Sequence, residues 1–155
     1  MLKINKKMKS LIANSFHKTK INDKLALIVK EGFFERDGCF FLKSLYQSHY
    51  DQYCKKQFHD ETGFESFVNS INVDNRYNND SLQMSLKFVE YIFDNMRIFN
   101  SELKLLACIS SSEEEIIIKF YVQRYGQSYL SDSLNDYNTA ILEVSKDGLS
   151  DLMRI

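Results

Sequence analysis

Apolar residues recur at helical spacing along much of the first part of the chain. Near the N-terminus, this spacing predicts an amphipathic helix over residues 3–16, with lysines on the opposite face. Asn22 or Asp23 is placed to cap a second helix that carries the segment KLALIVKEGF. A third pattern, which alternates by fours and threes from Ser81, predicts a long and largely buried helix that ends near Asn100.

Residues 32–42 are ambiguous between a hairpin and the start of a helix. The segment FFERDGCFFL places an Asp37-Gly38 pair between two apolar runs, which is typical of a β-hairpin. A helical stripe of apolar and aromatic residues nevertheless continues over the turns that follow. We therefore favour a helix from about Gly38 to Lys55, with Asp37 as its N-cap.

Two further segments complete the helical part. Thr62 and Glu65 have the spacing of a capping box, and the apolar residues around them predict a short helix. The run NVDNRYNND, residues 72–80, is mostly polar and predicts a loop.

The periodicity changes from helical to alternating after about residue 100. The segments LKLLACIS, EEEIIIKFYVQ and TAILEVS each predict a strand. In the last of these, Ala140, Leu142 and Val144 share one face. The second strand has its own predicted inner face, formed by Ile116, Ile118, Phe120 and Val122. The segment SDSLNDY predicts a short helix behind Ser131.

These patterns predict one α+β domain over residues 1–155. About five helices would occupy residues 1–100, the N-terminal two-thirds of the chain. They would pack on a small, mainly antiparallel sheet of about three strands in residues 101–155, because so small a sheet cannot cover itself.

The composition is that of a globular protein and favours no class of charged ligand. Twenty basic and 21 acidic side chains give a net charge of −1, so no overall field attracts nucleic acid. The three cysteines have no CxxC spacing, which favours a reducing compartment. No N-terminal run has the length of a secretory signal, and no stretch approaches the roughly 18 apolar residues of a membrane span. We expect a soluble protein of the cytoplasm.

No set of residues has the spacing of a metal, cofactor or catalytic site. His49, Cys54 and His59 could not converge on one metal ion from a single helix, because steps of five residues rotate them apart. The cluster of His59, Asp60 and Glu61 is better explained by helix capping than by acid–base catalysis. We expect no metal, no cofactor and no enzymatic activity.

Three segments give the chain a resemblance to a known class of protein: FLKSLYQSHYDQYCKKQFHDETGFESFVNSI, LLACISSSEEEIIIKFYVQRYG and YLSDSLNDYNTAILEVS. In size and layout the chain is similar to the small immunity proteins of bacterial contact-dependent growth inhibition systems. This resemblance implies a cytoplasmic protein without catalytic residues. It would bind the C-terminal toxin domain of its cognate effector, often a nuclease, at the active site or a nearby surface. Many such proteins are markedly acidic, and the net charge of −1 departs from that pattern.

Two groups of residues are candidates for contact with such a partner. Glu113, Glu114 and Glu115 lie at the start of an apolar strand, where they guard it against pairing with other chains. The sharper hypothesis is that they also face a basic toxin surface, together with the two acidic residues of the predicted short helix, Asp132 and Asp136. The second group is an aromatic stripe on the helix predicted from Gly38, and it consists of Tyr46, Tyr50 and Tyr53.

Two other classes of function stay open on the sequence. A small enzyme would use His59, Asp60 or Glu61. A regulatory adaptor would bind nucleic acid through a basic N-terminal arm. The lysines of that arm are Lys3, Lys6, Lys7, Lys9, Lys18 and Lys20.

Overall fold

The computed structural model describes residues 1–12, 19–47, 57–76, 80–96 and 102–152. Within these ranges the chain forms seven β-strands and five α-helices. The strands are β1 (Leu2–Ile4), β2 (Phe33–Arg36), β3 (Cys39–Leu42), β4 (Ser70–Asp74), β5 (Leu105–Ser111), β6 (Glu115–Val122) and β7 (Ala140–Val144). The helices are α1 (Lys6–Ile12), α2 (Asp23–Glu31), α3 (Glu61–Val68), α4 (Ser81–Asp94) and α5 (Lys146–Leu152).

The strands form two sheets. Five of them make an antiparallel sheet in the order β1-β7-β5-β6-β4, and β2 pairs with β3 in a separate hairpin. The fold is α+β, but the predicted division into a helical two-thirds and a three-stranded sheet is wrong. Four strands lie in the first hundred residues, and α5 follows the last strand. The helices are therefore interspersed with the strands.

The hairpin β2–β3 occupies the segment for which we favoured a helix from Gly38. Asp37 and Gly38 form the turn, with φ angles of 53° and 80°. Positive φ at both central residues is the geometry of a tight hairpin turn, which Asp-Gly adopts readily. β3 is buried on both faces, with Phe41 on one side and Phe40 on the other. The prediction of a helix over residues 38–47 is therefore wrong, and residues 48–55 lie outside the described residues.

The N-terminal helix begins later than predicted because a strand precedes it, and residues 13–16 of the predicted helix lie outside the described residues. Leu2–Ile4 pair with β7. Asn5 then caps α1, since its Oδ1 accepts from the Met8 N–H at 3.0 Å. The same oxygen accepts from the Ile141 N–H at 3.0 Å, so one buried side chain ends the strand, starts the helix and fixes both to β7. The prediction of a helix holds for residues 6–12.

Two other boundaries differ from the predictions. Residues 70–74 form strand β4, where part of the segment was predicted to be a loop. The helix α4 ends at Asp94, with Asn95 as its C-cap, short of the predicted end near Asn100. In both cases pairing or capping contacts decide the boundary, and neither contact is visible in the apolar periodicity.

The capping box predicted for Thr62 and Glu65 is also wrong. Asp60 is the N-cap of α3, and its Oδ1 accepts from the Gly63 N–H at 2.7 Å. Thr62 lies inside the helix, and Glu65 is directed away from the helix start. Both side chains serve tertiary contacts that are described below.

The remaining elements agree with the sequence patterns. Asn22 caps α2 by accepting from the Leu25 N–H at 2.9 Å, as predicted. A short 3₁₀ helix covers Leu134–Asp136 behind Ser131. The inner faces predicted for the second and third strands of the C-terminal part are confirmed, because all their residues belong to the main core.

The main core lies between one face of the five-stranded sheet and the helices α1, α2, α4 and α5. Phe120 at its centre packs edge-on against Phe88 of α4 at 5.8 Å and Phe33 of β2 at 6.4 Å between ring centroids. A second, smaller core lies on the outer face, where Leu130 and Leu134 cover Tyr121. The sheet is thus covered by helices on one face and by an irregular segment on the other.

Candidate functional site

The acidic turn, Glu113 to Glu115, joins β5 to β6 at one end of the five-stranded sheet. Ser112 closes it, because its N–H donates to the Glu115 carbonyl at 2.9 Å and its Oγ accepts from the Glu115 N–H at 3.2 Å. Asn75, just after β4, donates from its N–H to the Glu114 carbonyl at 3.0 Å and from Nδ2 to the Ser112 carbonyl at 2.7 Å. The turn is therefore held on two sides and presents its side chains from a fixed backbone.

The carboxylates of the acidic turn are directed to solvent. Glu113 and Glu114 are exposed, and neither forms an ion pair with another described residue. Glu115 is half-buried and accepts a hydrogen bond from Asn72 Nδ2 at 3.2 Å. Because like charges are gathered here without a counter-ion in the described part of the chain, this end of the sheet is locally acidic despite the net charge of −1.

A cleft of about 620 Å³ lies between the acidic turn and α1. Glu113 lines it on one side, and Lys7, Leu11 and Asn138 are among the residues on the others. Lys7 donates from Nζ to the Asn138 carbonyl at 2.6 Å, which ties α1 to the start of β7. The cleft is open and carries a carboxylate and an ammonium group at its rim.

Asp132 and Asp136, which the sequence groups with the acidic turn, lie in the irregular segment that covers the outer face of the sheet. Both are exposed. Neither lines the cleft beside Glu113, although Thr139, three residues after Asp136, does. Residues 138–140 therefore bring the end of this irregular segment close to the acidic turn. The structure shows no contact between the two aspartates and the acidic turn.

Tyr46 is the described member of the predicted aromatic stripe, and it follows the hairpin β2–β3. Its ring packs against Phe34 at 4.9 Å and Phe41 at 5.1 Å between centroids, and its hydroxyl accepts from Arg36 Nη1 at 3.3 Å. It is half-buried and belongs to an aromatic cluster that fixes the hairpin on α3. Tyr50 and Tyr53 lie outside the described residues.

His59, Asp60 and Glu61 stand at the start of α3 and have separate surroundings. His59 is exposed, Asp60 caps the helix, and Glu61 accepts from Gln127 Nε2 at 2.7 Å. Two of the three side chains thus make contacts that stabilise the fold. No group of three or more His, Cys, Asp or Glu residues within the described ranges is arranged to hold a metal ion. His49 and Cys54 fall outside those ranges.

A buried ion pair between Glu65 and Arg124 is a feature that the sequence patterns did not predict. Each carboxylate oxygen of Glu65 accepts from one guanidinium nitrogen and one backbone N–H. Oε1 contacts Arg124 Nη1 at 2.6 Å and the Val122 N–H at 2.9 Å. Oε2 contacts Arg124 Nη2 at 2.7 Å and the Phe40 N–H at 2.8 Å. Burial acts to lower the pKa of Arg124, and the hydrogen bonds and charge of Glu65 outweigh it, so that the pKa is raised.

Asn69, at the end of α3, completes the link between the two sheets. Its Oδ1 accepts from the Leu42 N–H at 2.8 Å, and its Nδ2 donates to the Phe40 carbonyl at 2.9 Å and the Phe120 carbonyl at 3.2 Å. Together with Glu65, it supplies hydrogen bonds to the facing edges of β3 and β6. We name Glu65, Arg124 and Asn69 the α3 clasp. It joins the two sheets, since both carboxylate oxygens of Glu65, both amide atoms of Asn69 and both Nη atoms of Arg124 have partners in the fold.

A second buried polar pair lies in the outer core. The Tyr121 hydroxyl donates to Oε2 of Glu143, and Lys3 Nζ lies 3.7 Å from Oε1 of the same carboxylate. A small cavity of about 60 Å³ adjoins the pair and has room for about one or two water molecules. Burial raises the pKa of Tyr121, and it also raises the pKa of the neighbouring Cys108 thiol to about 12. This site holds its protons tightly and offers no activated nucleophile.

We expect Cys108 to resist alkylation in the folded protein. With a pKa of about 12 in place of about 9, its thiolate fraction at pH 8 is roughly a thousandfold lower, and burial blocks access as well. Iodoacetamide at pH 8, followed by mass spectrometry of the peptides, should find Cys108 unmodified until urea is added. Modification of Cys108 in native protein at the rate found in urea would contradict this placement.

The basic N-terminal arm is partly engaged in the fold. Lys3 pairs with Glu143, and Lys7 binds the Asn138 carbonyl. Lys6 and Lys9 are exposed on α1, Lys20 is exposed before α2, and Lys18 lies outside the described residues. No helix in the described parts of the chain combines the length and the apolar character needed to cross a membrane.

Comparison with known proteins identifies the family. A sequence model of one family matches residues 3–152, nearly the whole chain. The chain belongs to the Uncharacterized protein PM0498 family. No curated protein and no solved structure matches it. Membership in this family attaches no reaction or ligand to the acidic turn, the α3 clasp or the outer core.

Proposed function

We propose that the protein is an immunity protein. It binds a bacterial toxin domain one-to-one in the cytoplasm of the producing cell and blocks the active site or a nearby surface. It acts by binding and catalyses no reaction. The observation that carries this proposal is the acidic turn, where exposed carboxylates stand on a backbone already fixed by Ser112 and Asn75.

The geometry of the acidic turn suits protein binding for an energetic reason. A flexible loop would lose conformational freedom on binding, whereas a preformed turn has little left to lose. Uncompensated carboxylates on such a turn complement the basic surface that a nuclease needs for its phosphate substrate. Opposite charges across the interface would accelerate association and select the cognate toxin more than they would increase affinity.

The buried polar groups also support a binding function over a catalytic one. The α3 clasp uses its carboxylate, guanidinium and amide to join secondary-structure elements. The outer core keeps Cys108 protonated beside Tyr121 and Glu143. At the start of α3, Asp60 and Glu61 are occupied by capping and by Gln127. Within the described part of the chain, the exposed charged surfaces are therefore the candidates for a binding function.

The proposal predicts that a large exported protein with a C-terminal toxin domain is encoded directly upstream, and that domain is the partner with which the acidic turn can be tested. Changing Glu113, Glu114 and Glu115 together to glutamine should slow association with that domain about tenfold at low salt. It should also weaken the dependence of the association rate on salt. The free energy of unfolding should change by less than about 1 kcal/mol, because these side chains are exposed or only partly buried. Biolayer interferometry at several salt concentrations and thermal denaturation measure the two quantities.

Two controls separate this effect from net charge and from catalysis. The triple variant Glu35→Gln, Asp147→Asn, Asp151→Asn removes the same charge from exposed positions elsewhere and should leave association nearly unchanged. His59→Ala should protect cells from the toxin as fully as the original chain. If the toxin domain does not bind, or if the two triple variants behave alike, the proposed role of the acidic turn is wrong.

A further inference from the structure

The strand β4 is the last strand at one side of the five-stranded sheet. Among the described strands it pairs only with β6, and the pairing pattern shows which of its backbone groups are directed away from β6. The Phe120 N–H donates to the Asn69 carbonyl at 3.1 Å, and the Asn75 N–H donates to the Glu114 carbonyl at 3.0 Å. Hydrogen-bonded and non-hydrogen-bonded residue pairs alternate along an antiparallel ladder. Ile71 and Val73 therefore also direct their backbone N–H and C=O groups toward β6.

The intervening residues of β4 direct their backbone groups outward. The Asp74 carbonyl confirms the direction, since it accepts from Ser81 Oγ at 2.8 Å on the side away from β6. The N–H and C=O of Ser70 and Asn72 face the same way and find no main-chain partner among the described residues. Unpaired groups in a row along an edge are a template for one more strand. At five residues, the edge is roughly 17 Å long.

A groove of about 380 Å³ runs beside this edge. Leu25 of α2 and Met84 of α4 line it, next to Ile71 and Val73 of β4 itself. Lys24 also lines the groove, and it is exposed and has no ion pair within the described residues. The groove therefore combines an apolar floor, a free cation and a row of backbone hydrogen-bonding groups.

We propose that an extended segment of the toxin domain adds to β4 as a sixth strand of this sheet. This inference rests on the immunity function proposed above and names the way in which the partner is held. The segment would place an apolar side chain over Leu25 and Met84 and an acidic side chain beside Lys24. A basic side chain at its end would meet Glu114 of the acidic turn, which Asn75 joins directly to the end of β4.

A segment of another protein fits this edge better than a second copy of the chain does. If the β4 strands of two copies paired with each other, the side chains that face each groove would be Ile71 and Val73 of the other copy. Those side chains are buried in their own core, at 3% and 8% exposure, beneath their own helices. They cannot also fill a neighbour's groove. A strand from a partner that keeps its side chains free can do so, and main-chain pairing with alternate side chains in pockets is an established mode of peptide recognition.

The test uses the intact protein and the same toxin domain with which the acidic turn is tested. Asn72→Pro removes the outward N–H without removing a hydrogen bond between β4 and β6, and proline is tolerated at such a position on an edge strand. Asn72→Ala is the matched control, because it removes the same side chain and keeps the N–H. We expect Asn72→Pro to weaken toxin binding at least about tenfold, because a partner carbonyl is left without its donor, and Asn72→Ala to change it less than about twofold.

Amide hydrogen exchange of the unmutated protein gives a second measurement. The N–H of Asn72 should exchange fast in the free protein and slowly in the complex, whereas the N–H groups of Ile71 and Val73 should be protected in both. If the toxin binds and Asn72 remains unprotected, the inference is wrong and the immunity function stands. If the toxin does not bind, both are wrong. If Asn72 is protected in the free protein and sedimentation shows a dimer, the occupant is a second copy, and the inference is likewise overturned.

Discussion

Replacing Glu65 with glutamine is expected to lower the free energy of unfolding by about 3–5 kcal/mol, the range found when a buried ion pair loses one partner. The reason lies in the symmetry of the α3 clasp. Each carboxylate oxygen accepts from one backbone N–H and one guanidinium N–H. Either orientation of a glutamine amide would therefore turn its NH₂ group toward two donors. The guanidinium of Arg124 would also keep its charge in a largely buried site after losing its directly paired carboxylate.

Urea denaturation measures the change in free energy, and the melting temperature should fall by roughly 10 °C for a chain of this length. The matched control is Glu90→Gln on α4, which neutralises a carboxylate paired with Lys87 at 2.9 Å near the surface. Exposed helical pairs contribute about 0.3–0.5 kcal/mol, so this variant should be close to the original protein. Equal losses from the two substitutions would show that the α3 clasp is not a buried ion pair.

Alternating patterns predicted the strands that lie in the middle of the sheet. β5, β6 and β7 each give every second residue to the main core, and in β6 this alternation is visible in the burial of the residues that follow Glu115. α2 was equally visible, because an asparagine cap precedes an amphipathic run. Burial and local hydrogen bonds specify these elements, and both can be recognised from the residue types within the segment itself.

The elements that were missed obtain their stability from distant residues. β3 is buried on both faces, so its run of apolar residues resembles the start of a helix. β1 has three residues, and pairing with β7 more than a hundred residues away makes it a strand. β4 begins in a segment too polar to suggest a strand, because its outward residues, such as Asn72, face solvent at the edge of the sheet. The β-propensity of the residues in a short stretch of sequence does not show whether a distant strand will pair with that stretch.

The same reasoning separates the acidic turn from the α3 clasp. Glu113, Glu114 and Glu115 are adjacent in the sequence, and their position between two predicted strands was enough to place them at the surface. Glu65 and Arg124 are 59 residues apart. Glu65 lies on a helix among apolar neighbours, where a capping box seemed to explain it. A carboxylate on an apolar helix face was the one signal in the sequence that Glu65 had a distant partner, because buried carboxylates are almost always paired.

α3 has an unusual position, since its side chains take the place of a missing strand between the two sheets. β3 and β6 do not pair with each other, and Thr62, Glu65 and Asn69 occupy hydrogen-bonding positions along the facing edges. A peptide strand would satisfy these backbone groups with its own N–H and C=O groups. Here a helix satisfies them from one face and also brings Phe64 into the aromatic cluster. The hairpin is therefore attached through side chains, and single substitutions should release it.

Asn69→Leu tests this attachment directly. Leucine has the same branched arrangement of side-chain heavy atoms as asparagine, is larger, and has no hydrogen-bonding group, so the change removes polar contacts and leaves no cavity. The Leu42 N–H and the Phe40 carbonyl would lose the partner that Asn69 provides. At about 1–3 kcal/mol for each buried group left unsatisfied, we expect the free energy of unfolding to fall by about 3 kcal/mol.

The local signature of the loss is specific to the hairpin. Amide exchange of Leu42 should accelerate in Asn69→Leu well beyond the change in exchange at the centre of β5, because the hairpin would open without unfolding the main sheet. The control is Asn95→Leu at the end of α4, which removes one exposed hydrogen bond to the Tyr91 carbonyl and should alter stability by less than about 0.5 kcal/mol. Uniform acceleration across both sheets would mean that the hairpin and the sheet unfold as one unit, and that Asn69 stabilises the whole fold equally.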